Sequence, residues 1–180
     1  MGRKIIVNAD DFGLCHSVNT AIINGFVAGN ISSTTIMANM PGRDEAVQLA
    51  KKHPALGIGL HFCITEGQSL CGSSTLTNND GEFYNWKKIN SLLLNGKVNK
   101  SDIRNELEAQ YYNISNEDIR ITHIDSHQHI HMNNSVFEVC KSFIKDKGIA
   151  IRLVDPNLEW KLFFKRPKKA LKQYLLKTLS

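Results

Sequence analysis

The sequence predicts an α/β fold built on a mainly parallel sheet. Three observations carry this: short apolar runs recur along the chain, segments of helical periodicity separate them, and Gly- or Asp-bearing turns divide the two. Short continuous apolar runs fit strands buried on both faces, which is the environment of a parallel sheet.

The first run is KIIVN (residues 4–8), followed by the polar turn ADDFGLC. Ser17 is expected to cap a helix, VNTAIINGFVAG, whose apolar face is Val18, Ile22, Ile23 and Phe26 and which closes at Gly29. STTIMAN (33–39) reads as a second strand. A helix over residues 44–52 follows, with Ala46, Val47, Leu49 and Ala50 on its buried side. GIGLHF (57–62) is the third strand, with His61 at its end. Residues 63–85 are rich in Gly, Ser, Thr and Asn, and a loop of this length inside a domain points to a lid or a binding loop. Residues 86–95 and 101–116 read as helices, and ITHID begins a fourth strand. Residues 135–147 form a further helix ending at Gly148, and IAIRLV (149–154) is a fifth strand. Neither a repeat nor a linker divides the chain.

A chain of 180 residues with 42% hydrophobic content can bury one sizeable core. No apolar run approaches a membrane span, and the N-terminus shows no signal-peptide pattern, so a cytoplasmic protein with no membrane partner is expected. The four cysteines form no C-x-x-C pair, which points to free thiols in a reducing compartment. The net charge of +5 comes from the end of the chain: residues 155–180 hold seven Lys and Arg against Asp155 and Glu159, and the remainder is balanced. No nucleic-acid motif accompanies this charge, so no nucleic-acid partner is expected. Residues 156–180, which include Trp160, Phe163, Phe164 and Leu171, read as a basic amphipathic helical tail of the same domain, interrupted at Pro167. A membrane-surface role is the alternative for that tail.

The run THIDSHQHIHM places His123, Asp125, His127, His129 and His131 at every second position. In an extended backbone such residues share one face. Imidazole and carboxylate are the ligands of Zn²⁺ and similar divalent ions, and a catalytic site takes about three of them. The rest would orient ligands or touch substrate. In parallel α/β folds, sites gather at the carboxyl ends of strands. Asp10 and Asp11 after the first strand, His61 on the third, and residues 125–131 after the fourth should therefore converge on one rim. Taken singly, the Asp pair also reads as a turn or helix cap, and His61 as a hydrogen-bonded core histidine. Adjacent carboxylates suit split roles, one on a metal and its neighbour as a base.

NADDFGL, the STT strand with ANMPG, HPALGIGLHF-x-x-TEG and HIDSHQHIHM occur in this order, and together they closely resemble the YdjC-like carbohydrate deacetylases. The likeness runs from about residue 4 to residue 155. It implies an irregular (β/α) barrel related to polysaccharide deacetylases, formed by a metal-binding domain over residues 1–155. It also implies one divalent metal, Mg²⁺ or Zn²⁺, and a small N-acetylated oligosaccharide substrate such as diacetylchitobiose. On this sequence the implied ligands are Asp11, His61 and His127, and the implied general base is Asp10. Asp125, His129 and His131 would surround the ligands or line the sugar site. The implied chemistry is hydrolysis of the acetamide, with water attacking beside the metal and an acid protonating the leaving amine.

Family members continue through further strands carrying a cysteine–histidine–proline block, whose histidine is the candidate acid. The prolines here are Pro41, Pro54, Pro156 and Pro167, and none belongs to such a block. Full barrels run to about 250 residues, so an incomplete barrel is expected, with its exposed edges covered in a homodimer. Two other readings stay open. The chain is a fragment that binds metal and sugar without turnover, or it is a histidine-rich metal phosphoesterase or amidohydrolase. The last class favours an H-x-H pair on the first strand, where this chain has Asp-Asp.

Overall fold

The apolar runs form strands and the amphipathic segments return the chain between them. In order the elements are β1 (Asn8–Phe12), α1 (His16–Val27), β2 (Ser33–Ile36), α2 (Arg43–Lys52), β3 (Gly57–Phe62), α3 (Trp86–Leu94), α4 (Lys100–Ser115), β4 (Ile121–Ser126), a 3₁₀ turn (His127–Met132), α5 (Asn134–Lys147) and β5 (Ala150–Ile151). The computed structural model describes residues 5–153. Neighbouring strands are all parallel, in the order β1-β2-β3-β4-β5. Strands that follow one another without reversal wind as in a (β/α) barrel, not as in a doubly wound sheet. The α/β class and the parallel sheet are thus as expected.

Several boundaries differ from the sequence reading. The first strand begins at Asn8, whose register partner on β2 is Ser33. Ile5 and Ile6 precede it and are exposed. Helix α1 starts at His16 with Cys15 as its N-cap, so Ser17 lies in the first turn and not at the cap. What fixes this start is tertiary: the Asn19 side chain accepts from Gly13 N–H at 2.7 Å and donates to the Gly42 carbonyl at 2.9 Å. The second strand ends at Ile36, three residues early, and the fifth keeps only Ala150 and Ile151. The tail over 156–180, its helix and the domain boundary before it lie outside the described residues.

One face of the sheet is apolar. Ile36, Ile58, Leu60, Phe62 and Ile124 pack with Ile22, Val47, Leu107 and Phe143 in a single core. Leu60 is fully buried on the central strand β3. Leu60→Ala should therefore cost about 2–5 kcal/mol, read as a lower urea midpoint, because the packed surroundings cannot collapse fully onto the void.

The loop between β3 and α3 is fastened, not free. Glu106 of α4 is buried and accepts from Ser69 Oγ at 2.6 Å and from the amides of Leu70 and Cys71 at 3.1 and 3.2 Å. Gln110 bonds both backbone groups of Cys63. Buried polar groups satisfied in this way give a long loop one path. Cys15, Cys63, Cys71 and Cys140 are free thiols. Among the described residues no helix is long and apolar enough to cross a membrane.

Candidate metal centre

The second face of the sheet is polar, and its polar groups meet at the carboxyl ends of the strands. In a regular strand adjacent residues point to opposite faces, so Asp10 and Asp11 could not both reach one site. The chain solves this with an irregularity: the β1–β2 register shifts between Ala9 and Phe12, and Asp11 takes φ +69°. A bulge of this kind re-aims side chains. A left-handed backbone at a non-glycine residue stores strain that the surrounding structure must hold in place.

His61 sits at the end of β3 with its ring almost wholly buried. Its Nδ1 lies 2.6 Å from Asp125 Oδ1 and its Nε2 lies 3.1 Å from Asp11 Oδ1. Thr35 Oγ1 donates to the other Asp125 oxygen at 3.2 Å. Burial opposes the His61 cation, but bonds to Asp11 and Asp125 outweigh it and raise its pKa to about 9. Burial likewise opposes the Asp125 carboxylate, yet its bond to His61 holds the group below its ordinary value. His127 completes the cluster, with Nδ1 3.1 Å from Asp11 Oδ1. Hydrogen bonds from His127 and His61 hold the Asp11 carboxyl well below the usual carboxylate range.

Asp11, His61 and His127 can therefore offer one oxygen and two nitrogens, all within 4.8 Å of one another. An ionised carboxylate and two imidazoles form a donor set that fits a divalent ion. A second group of the same compactness, Asp10, His61 and Asp125, shares His61 with the first.

The alternation read from THIDSHQHIHM does not persist. Strand β4 ends at Ser126, and the next residues form a 3₁₀ turn in which Gln128 and His129 are left-handed, at φ +54° and +56°. The turn is closed locally: His131 N–H donates to Ser126 Oγ at 3.0 Å, and that hydroxyl also pairs with His131 Nδ1. The five polar residues consequently occupy different places. His123 packs its ring against Gly59, where a Cβ would come within 2.5 Å of it. His131 is buried, and its Nε2 lies 2.9 Å from the Arg152 carbonyl. It faces the Arg152 backbone and is not among the residues lining the cleft. His129 lines an open cleft of about 710 Å³ with Thr65, Glu66, Asn85, Trp86 and Gln128.

Two charged residues at this rim had no role in the sequence reading. Arg152, just after β5, donates to both oxygens of Asp10 at 2.9 and 3.1 Å and to Asp125 at 3.2 Å. Glu66 lies in the loop after β3, and its Oε2 is 3.0 Å from His127 Nε2. The rule that sites lie at strand ends covers Arg152 as well, and Glu66 stands in the TEG block quoted above.

Fold and site together define an α/β protein with a candidate divalent-metal centre at the carboxyl ends of its parallel strands. Residues 4–179 match the YdjC-like protein family, and the chain belongs to that family. A carbohydrate deacetylase of Geobacillus stearothermophilus is 40% identical over 154 residues, covering 86% of this chain and 61% of the relative. A chitooligosaccharide deacetylase of Yersinia pestis is 37% identical over 156 residues, covering 85% and 60%. The chain thus spans about three fifths of the length of these relatives. A crystal structure from Enterococcus faecalis, described as a cellobiose-phosphate cleavage protein, superposes with a TM-score of 0.76 at 26% identity, over 92% of this chain and 64% of that one. The lactam utilization protein of Thermus thermophilus, at TM-score 0.50 and 17% identity over 95% of this chain and 63% of that one, shares the fold alone.

Proposed function

We propose that this chain carries the metal-dependent hydrolysis of acetyl groups from N-acetylated sugars, with short chitooligosaccharides such as diacetylchitobiose as substrates. The observation that supports it most is the meeting of Asp11, His61 and His127 around Asp11 Oδ1, with a separate carboxylate, Asp10, beside them. Curated relatives named as deacetylases of this substrate class point the same way. Asp11, His61 and His127 would hold one divalent ion: Mg²⁺ is the ion the family resemblance favours, and Zn²⁺ suits two imidazoles and a carboxylate by softness. When bound, the ion supplies Lewis-acid polarisation of the acetamide carbonyl and a lowered pKa for water.

The remaining work falls to the chain. Asp10 takes the proton of the attacking water as general base. Arg152 bonds both of its oxygens and so fixes the carboxylate in place. Asp125 and Thr35 hold the His61 ring, and His129 with Trp86 lines the cleft that takes the sugar. Exposed Ile5 and Ile6 support a homodimer, and the free thiols support a reducing, cytoplasmic setting.

Incubation with diacetylchitobiose and Mg²⁺ or Zn²⁺ should release acetate; none with any divalent ion overturns the activity. Ion and sugar binding without acetate would select the second reading, a fragment that binds without turnover. That reading draws on the three-fifths coverage of the relatives.

A further inference from the structure

We propose that Glu66 positions His127 for the metal ion, as Asp125 positions His61. The inference rests on the reading of Asp11, His61 and His127 as ligands, and it adds a residue and a tautomer to that reading. Each imidazole has one nitrogen toward Asp11 Oδ1 and the other toward a second carboxylate. For His61 these are Nε2, at 3.1 Å from Asp11, and Nδ1, at 2.6 Å from Asp125. For His127 the nitrogens are exchanged, with Nδ1 at 3.1 Å from Asp11 and Nε2 at 3.0 Å from Glu66.

A second carboxylate behind a ligating ring only accepts, so in the neutral ring that an ion requires the nitrogen facing that carboxylate carries the hydrogen. A neutral imidazole then has one lone pair left, on its other nitrogen. Asp125 thereby leaves Nε2 of His61 as the donor, and Glu66 leaves Nδ1 of His127. The two rings present different nitrogens to the same point because the two carboxylates stand behind different atoms. Without Glu66, His127 can place its hydrogen on Nδ1 and donate to Asp11, which hides the nitrogen an ion would need. Carboxylates behind ligating histidines commonly act in this way.

The loop delivers Glu66 through its backbone. Asn39 Nδ2 donates to the Glu66 carbonyl at 2.9 Å and to that of Gln68 at 3.2 Å. Between them Gly67 takes φ +78°, and a Cβ there would lie 3.0 Å from Asn39 Nδ2 and 3.1 Å from Met40 Cε. The turn therefore favours glycine on both counts. The two carboxylates differ in exposure: the Asp125 side chain is 1% exposed and that of Glu66 53%. Solvent screens Glu66, so it adjusts affinity and does not decide whether the site forms.

The test uses Glu66→Ala and Glu66→Gln in the full chain, titrated calorimetrically with ZnCl₂ and MgCl₂. Nitrogen-15 spectra of the histidine rings, recorded without ion at a pH where the rings are neutral, report the tautomers. Glu66→Ala should weaken ion binding about 10–100-fold, with an unchanged melting temperature, and His127 should shift from the Nε2–H form toward a mixture. Glu66→Gln, whose amide oxygen still accepts from Nε2–H, should restore most of both. Wild-type affinity together with an unchanged His127 tautomer in Glu66→Ala overturns the inference. If the wild-type chain binds no ion, the ligand reading fails, and the ion-free tautomer still decides the part played by Glu66.

Discussion

Asp10→Asn is expected to slow acetate release by about 10²–10⁴-fold, the usual contribution of a positioned base, while the ion stays bound. Asparagine keeps the shape of aspartate and cannot take a proton at neutral pH. Asp10 lies outside the trio around Asp11 Oδ1, so the donors for the ion remain. Its side chain is one-third exposed, which leaves it open to water, and Arg152 holds it by both oxygens. The measurement pairs kcat on diacetylchitobiose with metal content of the same sample. Near-wild-type turnover removes Asp10 from the role of base. Loss of the ion along with turnover would place Asp10 among the ligands, as the alternative group of Asp10, His61 and Asp125 allows.

His61→Ala is expected to empty the centre. His61 is common to both compact groups, and it is the ring that links Asp11 to Asp125. Its removal takes one of three donors and leaves the fourth strand's buried carboxylate with Thr35 and Arg152 as its side-chain partners among the described residues. Loss of a metal's contribution, several kcal/mol in the transition state, corresponds to roughly 10³-fold in rate. A buried carboxylate losing one partner adds about 1–3 kcal/mol of instability. Elemental analysis should find less than about one-tenth of the wild-type ion, and a melting curve on the same sample separates ion loss from unfolding. Full occupancy in this variant would refute the ligand assignment.

Much of this was legible in the chain because it depends on short-range pattern. Apolar runs such as GIGLHF need no partner to declare a buried strand, and β3 lies where that run does. The helices over Trp86–Leu94 and Lys100–Ser115 follow from period and fall within a residue of the expected limits. The rule placing sites at carboxyl ends then brings Asp10, Asp11, His61 and residues 125–131 to one rim, and the family resemblance singles out Asp11, His61 and His127 among them.

The alternation of histidines misled for an equally physical reason. Period two carries information only while the backbone stays extended, and Ser126 ends the strand by clasping His131. Nothing in THIDSHQHIHM marks that point, since the clasp competes with continuing the ladder and wins only once the turn is packed.

The amino-acid sequence alone therefore determined the α/β class, the strand and helix order and the convergence of Asp10, Asp11, His61 and His127 on the rim. Tertiary structure decided how they meet. The bulge at Asp10 and Asp11 exists because β1 must register with β2. The bond from Arg152 to Asp10 spans 142 positions and that from Glu66 to His127 spans 61. Contacts across such separations are set by strand register and by the fastening of a loop through Glu106. Both are properties of the assembled sheet, and no local pattern encodes them.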